Sequence, residues 1–285
     1  MKINDILKTR SQGVSFEFFP PKNLGSKNKL SFTVGALKEY RPLYVSMTCG
    51  AGGVTQECTK DAVRVLLEQK ELVVMPHLTC IGAGKSAIKD LLDEYKQNSI
   101  ENIMALRGDL PQEANDFDLL KQELPYARDL VTFIKGYGHF CVGVAVYPEG
   151  HLETSTLAED TECTKQKIDA GADFAITQMF FDNTYYYTLL DRMKKTGITI
   201  PVLPGILPLT NIAKVKEFAS ICRATIPKAI EGRIARFSGR PKDEEKAGIE
   251  FTIKQCRDLM ANGARQLHFF TLNKPKIIKE ILEAI

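Results

Sequence analysis

The sequence predicts an α/β protein folded as a (β/α)8 TIM barrel. Three observations carry this: eight short runs rich in β-branched and aromatic residues, segments of helical periodicity between them, and a closing amphipathic stripe. Regular alternation of this kind implies right-handed βαβ units and a parallel sheet, and eight units ending in a helix favour closure. A doubly wound open sheet is the architectural alternative.

The candidate strands run from Val14 to Phe19, Tyr44 to Thr48, Val73 to Cys80 and Asn102 to Leu106, then from Cys141 to Val146, Phe174 to Phe180, Pro201 to Ile206 and Leu267 to Leu272. Helical spacing between them shows in Ile88, Leu91, Leu92 and Tyr95, in Tyr186, Leu189, Leu190 and Met193, and in Ile249, Ile253, Cys256 and Met260. Ile277, Ile278, Ile281, Leu282 and Ile285 form the last stripe. The least regular stretch, Arg223 to Glu245, carries six basic residues and reads either as a solvated charged helix and loop or as a lid or anion contact at the barrel mouth.

At 285 residues and 31.8 kDa, with 44% hydrophobic and 26% charged residues, the chain can bury a sizeable core, which excludes a disordered class. No repeat, low-complexity tract or Pro/Gly/Ser-rich linker divides it, so residues 1–285 read as a single domain. A net charge of +3 gives no global field for nucleic acid. The seven cysteines are odd in number, scattered and without a CxxC pair, which fits reduced thiols in the cytoplasm. Met1 to Arg10 lacks the apolar run of a signal peptide or membrane span.

Several residues stand out chemically. In the first strand Ser15, Glu17 and Phe19 point opposite to Val14, Phe16 and Phe18, placing a carboxylate among apolar neighbours. Burial would raise its pKa and make Glu17 a candidate general acid; the alternative is a carboxylate that reaches solvent or an Arg. Arg107, Gly108 and Asp109 close the fourth strand at the end where barrel enzymes keep their sites, although an Asp turn with a salt bridge explains them equally. Gln178 lies in an apolar run, so its amide needs partners inside the protein or on a ligand. His77, His139, His151 and His268 show no metal-ligand spacing, which predicts no metal site; His77 and His151 fall near strand ends, and His268 reads as structural. Gly50-Ala51-Gly52-Gly53 and Gly84-Lys85-Ser86 fail as Rossmann and P-loop fingerprints.

Taken together, the stretches VSFEFFPPK (Val14 to Lys22), VSMTCGA (Val45 to Ala51), PHLTCIG (Pro76 to Gly82), ALRGDLP (Ala105 to Pro111), VAVYPEGH (Val144 to His151), DAGADFAITQMFFD (Asp169 to Asp182), PGILP (Pro204 to Pro208) and HFFTLN (His268 to Asn273) resemble the methylenetetrahydrofolate reductase family, in its short bacterial, catalytic-domain form. The resemblance implies a barrel holding non-covalent FAD that passes reducing equivalents from a reduced nicotinamide, by analogy NADH, to 5,10-methylenetetrahydrofolate. Its place would be one-carbon metabolism and methionine biosynthesis.

Carried over by position, Glu17 resembles the family's acid, Asp109 the carboxylate near flavin and pterin, Gln178 the orienting amide and Phe218 the stacking aromatic. Phe218 by itself reads as core, because Ile212, Val215, Ala219 and Cys222 share its helix. Lys274 and Phe270 stand where relatives can carry Arg and Tyr toward the folate. Thr48, His77, Arg107, Gly108, Asp109, Ala145, Tyr147, His151, Asp160 and Lys167 match flavin positions, with Arg107 and Lys167 suited to phosphate. Cys49, Cys163 and Gln166 replace the Tyr, Asn and Arg of relatives. The implied partners are folate and nicotinamide as small-molecule substrates, neither nucleic acid nor membrane, with a homo-oligomer in keeping with the family. The alternative is a flavin subunit active only with an iron–sulfur electron-transfer partner.

Overall fold

A computed structural model describes residues 1–21, 25–49, 56–110, 118–237 and 239–285. Lys22, Gly50 to Gly53 and Pro111, which belong to the motifs above, lie outside the described residues. The chain runs α1 (Ile3–Thr9), β1 (Gly13–Phe18), α2 (Gly25–Lys38), β2 (Val45–Met47), α3 (Gln56–Glu68), β3 (Val74–Thr79), α4 (Lys85–Gln97) and β4 (Asn102–Leu106). It continues through α5 (Ala127–Tyr137), β5 (Cys141–Val146), α6 (Leu157–Asp169), β6 (Phe174–Thr177), α7 (Asn183–Lys195), β7 (Val202–Leu203) and β8 (Gly205–Ile206). The last elements are α8 (Ile212–Cys222), α9 (Lys228–Ala235), α10 (Pro241–Ala261), β9 (Gln266–Phe270) and α11 (Pro275–Leu282).

All strands pair in parallel, in the order β7-β6-β5-β4-β3-β2-β1-β9-β8. The ends of that order, β7 and β8, are two halves of the expected seventh strand, so the sheet closes on itself through Pro204. The split is a correction to the eight-strand reading, and its cause is local. Proline has no N–H to give to a ladder, and the next donor, Gly205 N, is taken by Thr177 Oγ1 at 2.8 Å, while Pro204 O accepts from His268 N at 3.0 Å. A side chain at Gly205 would sit 2.2 Å from Thr177 O, so only glycine allows the two backbones this close.

Alternation along each strand separates two cores. Phe16, Phe18, Val45, Met47, Leu78 and Phe269 face outward and pack beneath the surrounding helices, with Leu66, Leu92, Ile134 and Ile278 among their buried companions. Tyr44, Met75, Met104, Phe174, Ile176 and Leu203 fill the lumen. α1 caps this inner core with Ile3, Ile6 and Leu7. Its backbone is tied across the amino-terminal ends of the strands, where Ile3 N donates to Asn102 Oδ1 at 2.7 Å and Gln266 Nε2 donates to Leu7 O at 3.0 Å. One end of the barrel is thereby plugged with hydrocarbon, and polar lumen residues collect at the other.

The stretch from Arg223 to Glu245 contains α9 and the start of α10, and its charges pair locally, as in Arg240–Asp243, or with neighbouring helices, as in Arg233–Glu250. Arg223 is different. It turns the chain out of α8 in a left-handed conformation and clamps the β5–α6 loop, donating from Nη1 to His151 O and Thr154 O at 2.9 Å each. Among the described residues, no helix is long and apolar enough to cross a membrane.

Candidate active site

At the carboxyl ends of the strands a cavity of about 470 Å³ opens over Glu17, Thr48, His77, Gly108, Asp109, Gln178 and Phe218. Leu106, Arg107, Ala145, Tyr147 and His151 form a wall shared with a second, lateral cavity of about 370 Å³, whose far side is made by the start of α5 and by α6, including Asp160, Cys163, Gln166 and Lys167. The sequence-predicted residues therefore converge, with one exception: Lys274 is exposed at the start of α11 and is absent from either lining. Phe270, four positions earlier, does line the mouth.

Glu17 lies on the floor of the mouth, 7% exposed, in register with Ser46 of β2 and Phe270 of β9. Its Oε2 is 3.3 Å from His268 Nε2, a hydrogen bond, and 3.3 Å from His77 Nε2. Burial pushes the carboxyl upward as the sequence implies. The charge of His77 and the hydrogen bond from His268 outweigh that push, and the pKa falls to about 2. The expectation of a raised Glu17 pKa is thus corrected: the carboxylate is buried but not unpaired, because the barrel brings histidines from β3 and β9 to either side of it.

His268 is itself fully buried. Its Nδ1 contacts Ser15 Oγ at 2.8 Å and Tyr44 OH at 3.4 Å, and its ring stacks on Tyr44 with centroids 5.7 Å apart. From the sequence His268 reads as structural. The signal that would have found it is the one that found Gln178: a polar residue in an apolar strand, here placed by parity on the same lumen face as Ser15 and Glu17.

Three buried polar atoms near this end of the lumen, Ser46 Oγ, Thr48 Oγ1 and His77 Nε2, lack a hydrogen-bond partner among the described residues. His77 is close to Glu17 but off the line of a hydrogen bond. Thr48 and His77 line the mouth, so they can bond a bound polar molecule at little cost in lost internal contacts. Gln178 is already set: its Oε1 accepts from Met179 N at 2.8 Å, which leaves the amide NH2 to donate. Phe218, read as core from its helix neighbours, is 38% exposed and forms part of the wall. α8 buries Val215 and Ala219, and Phe218 lies at the edge of that face.

Gly108 has φ +92°, and an added Cβ would lie 2.6 Å from Ile81, so the backbone between Arg107 and Asp109 depends on glycine. Asp109 is exposed at the rim. Arg107 is not free to meet a phosphate: Glu153 grips its fork with Nη1–Oε2 at 2.5 Å and Nη2–Oε1 at 2.6 Å. Lys167 donates to Ala145 O at 2.6 Å, and burial lowers its pKa against the opposing charge of Asp160. Asp160 in turn is raised by burial; its Oδ1 accepts from His151 N at 2.9 Å while Oδ2 has no partner among the described residues.

This geometry has relatives. The family model for methylenetetrahydrofolate reductase matches residues 2–285. The chain belongs to the methylenetetrahydrofolate reductase family. A 5,10-methylenetetrahydrofolate reductase of Pectobacterium carotovorum is 35% identical over 264 residues, 93% of this chain and 87% of that one. The reductase of Escherichia coli is 34% identical over the same shares, and methylenetetrahydrofolate reductase 1 of Schizosaccharomyces pombe is 34% identical over 95% of this chain but 45% of its own length. Among solved structures, an uncharacterized Clostridium thermocellum protein that binds two copies of 5-methyl-5,6,7,8-tetrahydrofolic acid superposes with a TM-score of 0.68 over 100% of this chain and 98% of that one; at 12% identity the likeness is one of fold. Among the described residues no group of three or more His, Cys, Asp and Glu side chains is placed to hold a metal ion.

Proposed function

We propose that this single-domain barrel reduces 5,10-methylenetetrahydrofolate to 5-methyltetrahydrofolate with a reduced nicotinamide as electron source and FAD as resident cofactor. The observation that carries the reading is Glu17, a carboxylate on the floor of the mouth cavity with an imidazole 3.3 Å away on either side. The family membership and the reductase names of its relatives point the same way. Two adjoining cavities that share a wall suit an elongated dinucleotide, and the orphaned atoms of Thr48, His77 and Asp160 offer it polar contacts unmade among the described residues.

When bound, FAD supplies hydride chemistry between nicotinamide and folate. Opening of the folate's five-membered ring needs a proton at its anilino nitrogen and leaves an electrophilic iminium ready for hydride. Glu17 alone, with a pKa of about 2, does not carry that proton at neutral pH. His268 as imidazolium donates from Nε2 to Glu17 Oε2 across 3.3 Å, and transfer of that proton leaves a neutral imidazole and makes the carboxylic acid that donates into the cavity. Ser15 and Tyr44 hold the His268 ring in place for this. Asp109 puts negative charge at the rim, where it favours a cationic folate, and Gln178 donates its fixed amide to orient the pterin. Phe218 offers an aromatic face to either substrate. A single mouth cavity serves nicotinamide and folate in turn, which gives ping-pong turnover.

The test is an absorbance spectrum of the purified protein followed by anaerobic titration with NADH and then with methylenetetrahydrofolate. Bleaching by the first and recovery of the oxidised spectrum by the second is the expected outcome. A flavin that NADH reduces only after an iron–sulfur partner is added would replace this reading with that of an electron-transfer subunit, and folate binding without flavin would replace it with that of a binding protein.

A further inference from the structure

We propose that Arg128, at the start of α5, is the residue that reads the phosphate-bearing part of the cofactor in the lateral cavity; the inference rests on the flavin reading above. Three basic side chains line that cavity among the described residues: Arg107, Arg128 and Lys167. They differ in what already engages them. Glu153 fills both arms of the Arg107 fork. Lys167 is turned onto Ala145 O, and the desolvation that lowers its pKa makes it a poor seat for permanent charge.

Arg128 is held instead by groups that orient it without cancelling its charge. Its Nη1 donates to the neutral amide oxygen of Gln166, and its guanidinium lies over the Tyr126 ring, 4.7 Å from the centroid. The nearest carboxylate, Asp129, approaches only Nε, at 3.8 Å, and its other oxygen accepts from Tyr126 N at 2.9 Å. A planar donor fork thus faces the cavity with no bidentate acid on it, the arrangement that suits phosphate oxygens. Within the same cavity, Asp160 Oδ2 is buried and has no partner among the described residues. A guanidinium and an orphaned acceptor in the lining of one cavity fit a ligand segment carrying both phosphate and hydroxyl groups, as the pyrophosphate and ribose of a dinucleotide do.

The experiment titrates flavin-free full-length protein with FAD and with riboflavin, which lacks phosphate, following flavin fluorescence; the chain has no tryptophan to interfere. Arg128→Gln is expected to weaken FAD binding by about tenfold or more, the worth of a charge-assisted bidentate contact, and to leave riboflavin affinity unchanged. Arg128→Lys should fall between, because the charge remains and the fork is lost. Added salt should weaken FAD binding to the unaltered chain more than to Arg128→Gln. Unchanged FAD affinity in Arg128→Gln overturns the inference, and so does an equal loss for FAD and riboflavin, which would mark a structural role. If the unaltered chain binds neither flavin, the reading on which the inference rests has failed, and the inference with it.

Discussion

The two halves of the site are built by different means. In the mouth, the chemically active groups sit on strands: Glu17 on β1, His77 on β3 and His268 on β9, with Gln178 immediately after β6. Strand register sets their spacing, and burial makes each neighbour count heavily. In the lateral cavity the charged groups sit on loops, as Arg107 and Glu153 do, and on helices, as Arg128 on α5 and Asp160 and Lys167 on α6 do, and Arg107 is answered by Glu153. On the proposed function, this contrast gives proton handling to the rigid lumen, where a small displacement would be costly, and cofactor binding to the lateral cavity.

The sharpest way to break this contrast is Glu17→Gln. Removing the buried carboxyl on the mouth's floor should slow reoxidation of reduced flavin by methylenetetrahydrofolate by about 10²- to 10⁴-fold, while flavin reduction by NADH persists. Anaerobic stopped-flow measurement of the two half-reactions checks it; equal losses would mean that the floor serves binding rather than proton transfer.

The next effect is thermodynamic. The Glu17 pKa is depressed from 4.5 to about 2, so its contribution to stability is fully present above pH 4.5 and is lost as pH falls through about 2. The difference corresponds to about 3 kcal/mol. Denaturant unfolding across that window should show a fall that Glu17→Gln lacks. If wild type and variant track each other, the imidazoles do not hold the carboxylate as described.

His268→Gln should cost about 1–3 kcal/mol of stability, because Ser15 and Tyr44 lose a buried partner. With one of its lowering influences gone, Glu17 should titrate at higher pH, and the acid limb of the folate half-reaction should move upward. A stability loss with an unmoved pH profile would reduce His268 to a packing role. The smallest expected effect belongs to the rim. Glu153→Gln should change stability by only about 0.5–1 kcal/mol, since the pair is partly exposed, yet it frees Arg107 and should tighten FAD binding a few-fold, readable by fluorescence titration. Weaker binding would show that Glu153 positions Arg107 rather than competing for it.

Much of the barrel was legible because strand and helix periodicities differ and each is local. The runs around Phe16, Val144 and Phe269 all became strands. The break at Pro204 was readable in principle, since proline cannot donate, but its partner Thr177 lies 28 positions from Gly205 in sequence and 2.8 Å away in space. α1 escaped notice because seven residues give barely two turns of pattern, and its purpose, plugging the lumen, exists only once the barrel does. Glu17, Gln178 and the Arg107-Gly108-Asp109 turn announced themselves by polarity in apolar or glycine settings. Glu153, Tyr126 and Arg128 gave no such signal, being ordinary polar residues on exposed segments.

What the amino-acid order determined by itself was which residues alternate inward, the sequence of strands and helices, and hence that Glu17, Gln178 and His77 would lie toward one end of a parallel barrel. What only the tertiary structure decided was the state of those groups. Glu17 has a low pKa rather than a high one because closure of the barrel sets imidazoles from β3 and β9 against it, and charge and hydrogen bonding from residues distant in sequence and 3.3 Å away outweigh the desolvation that local sequence alone could foresee.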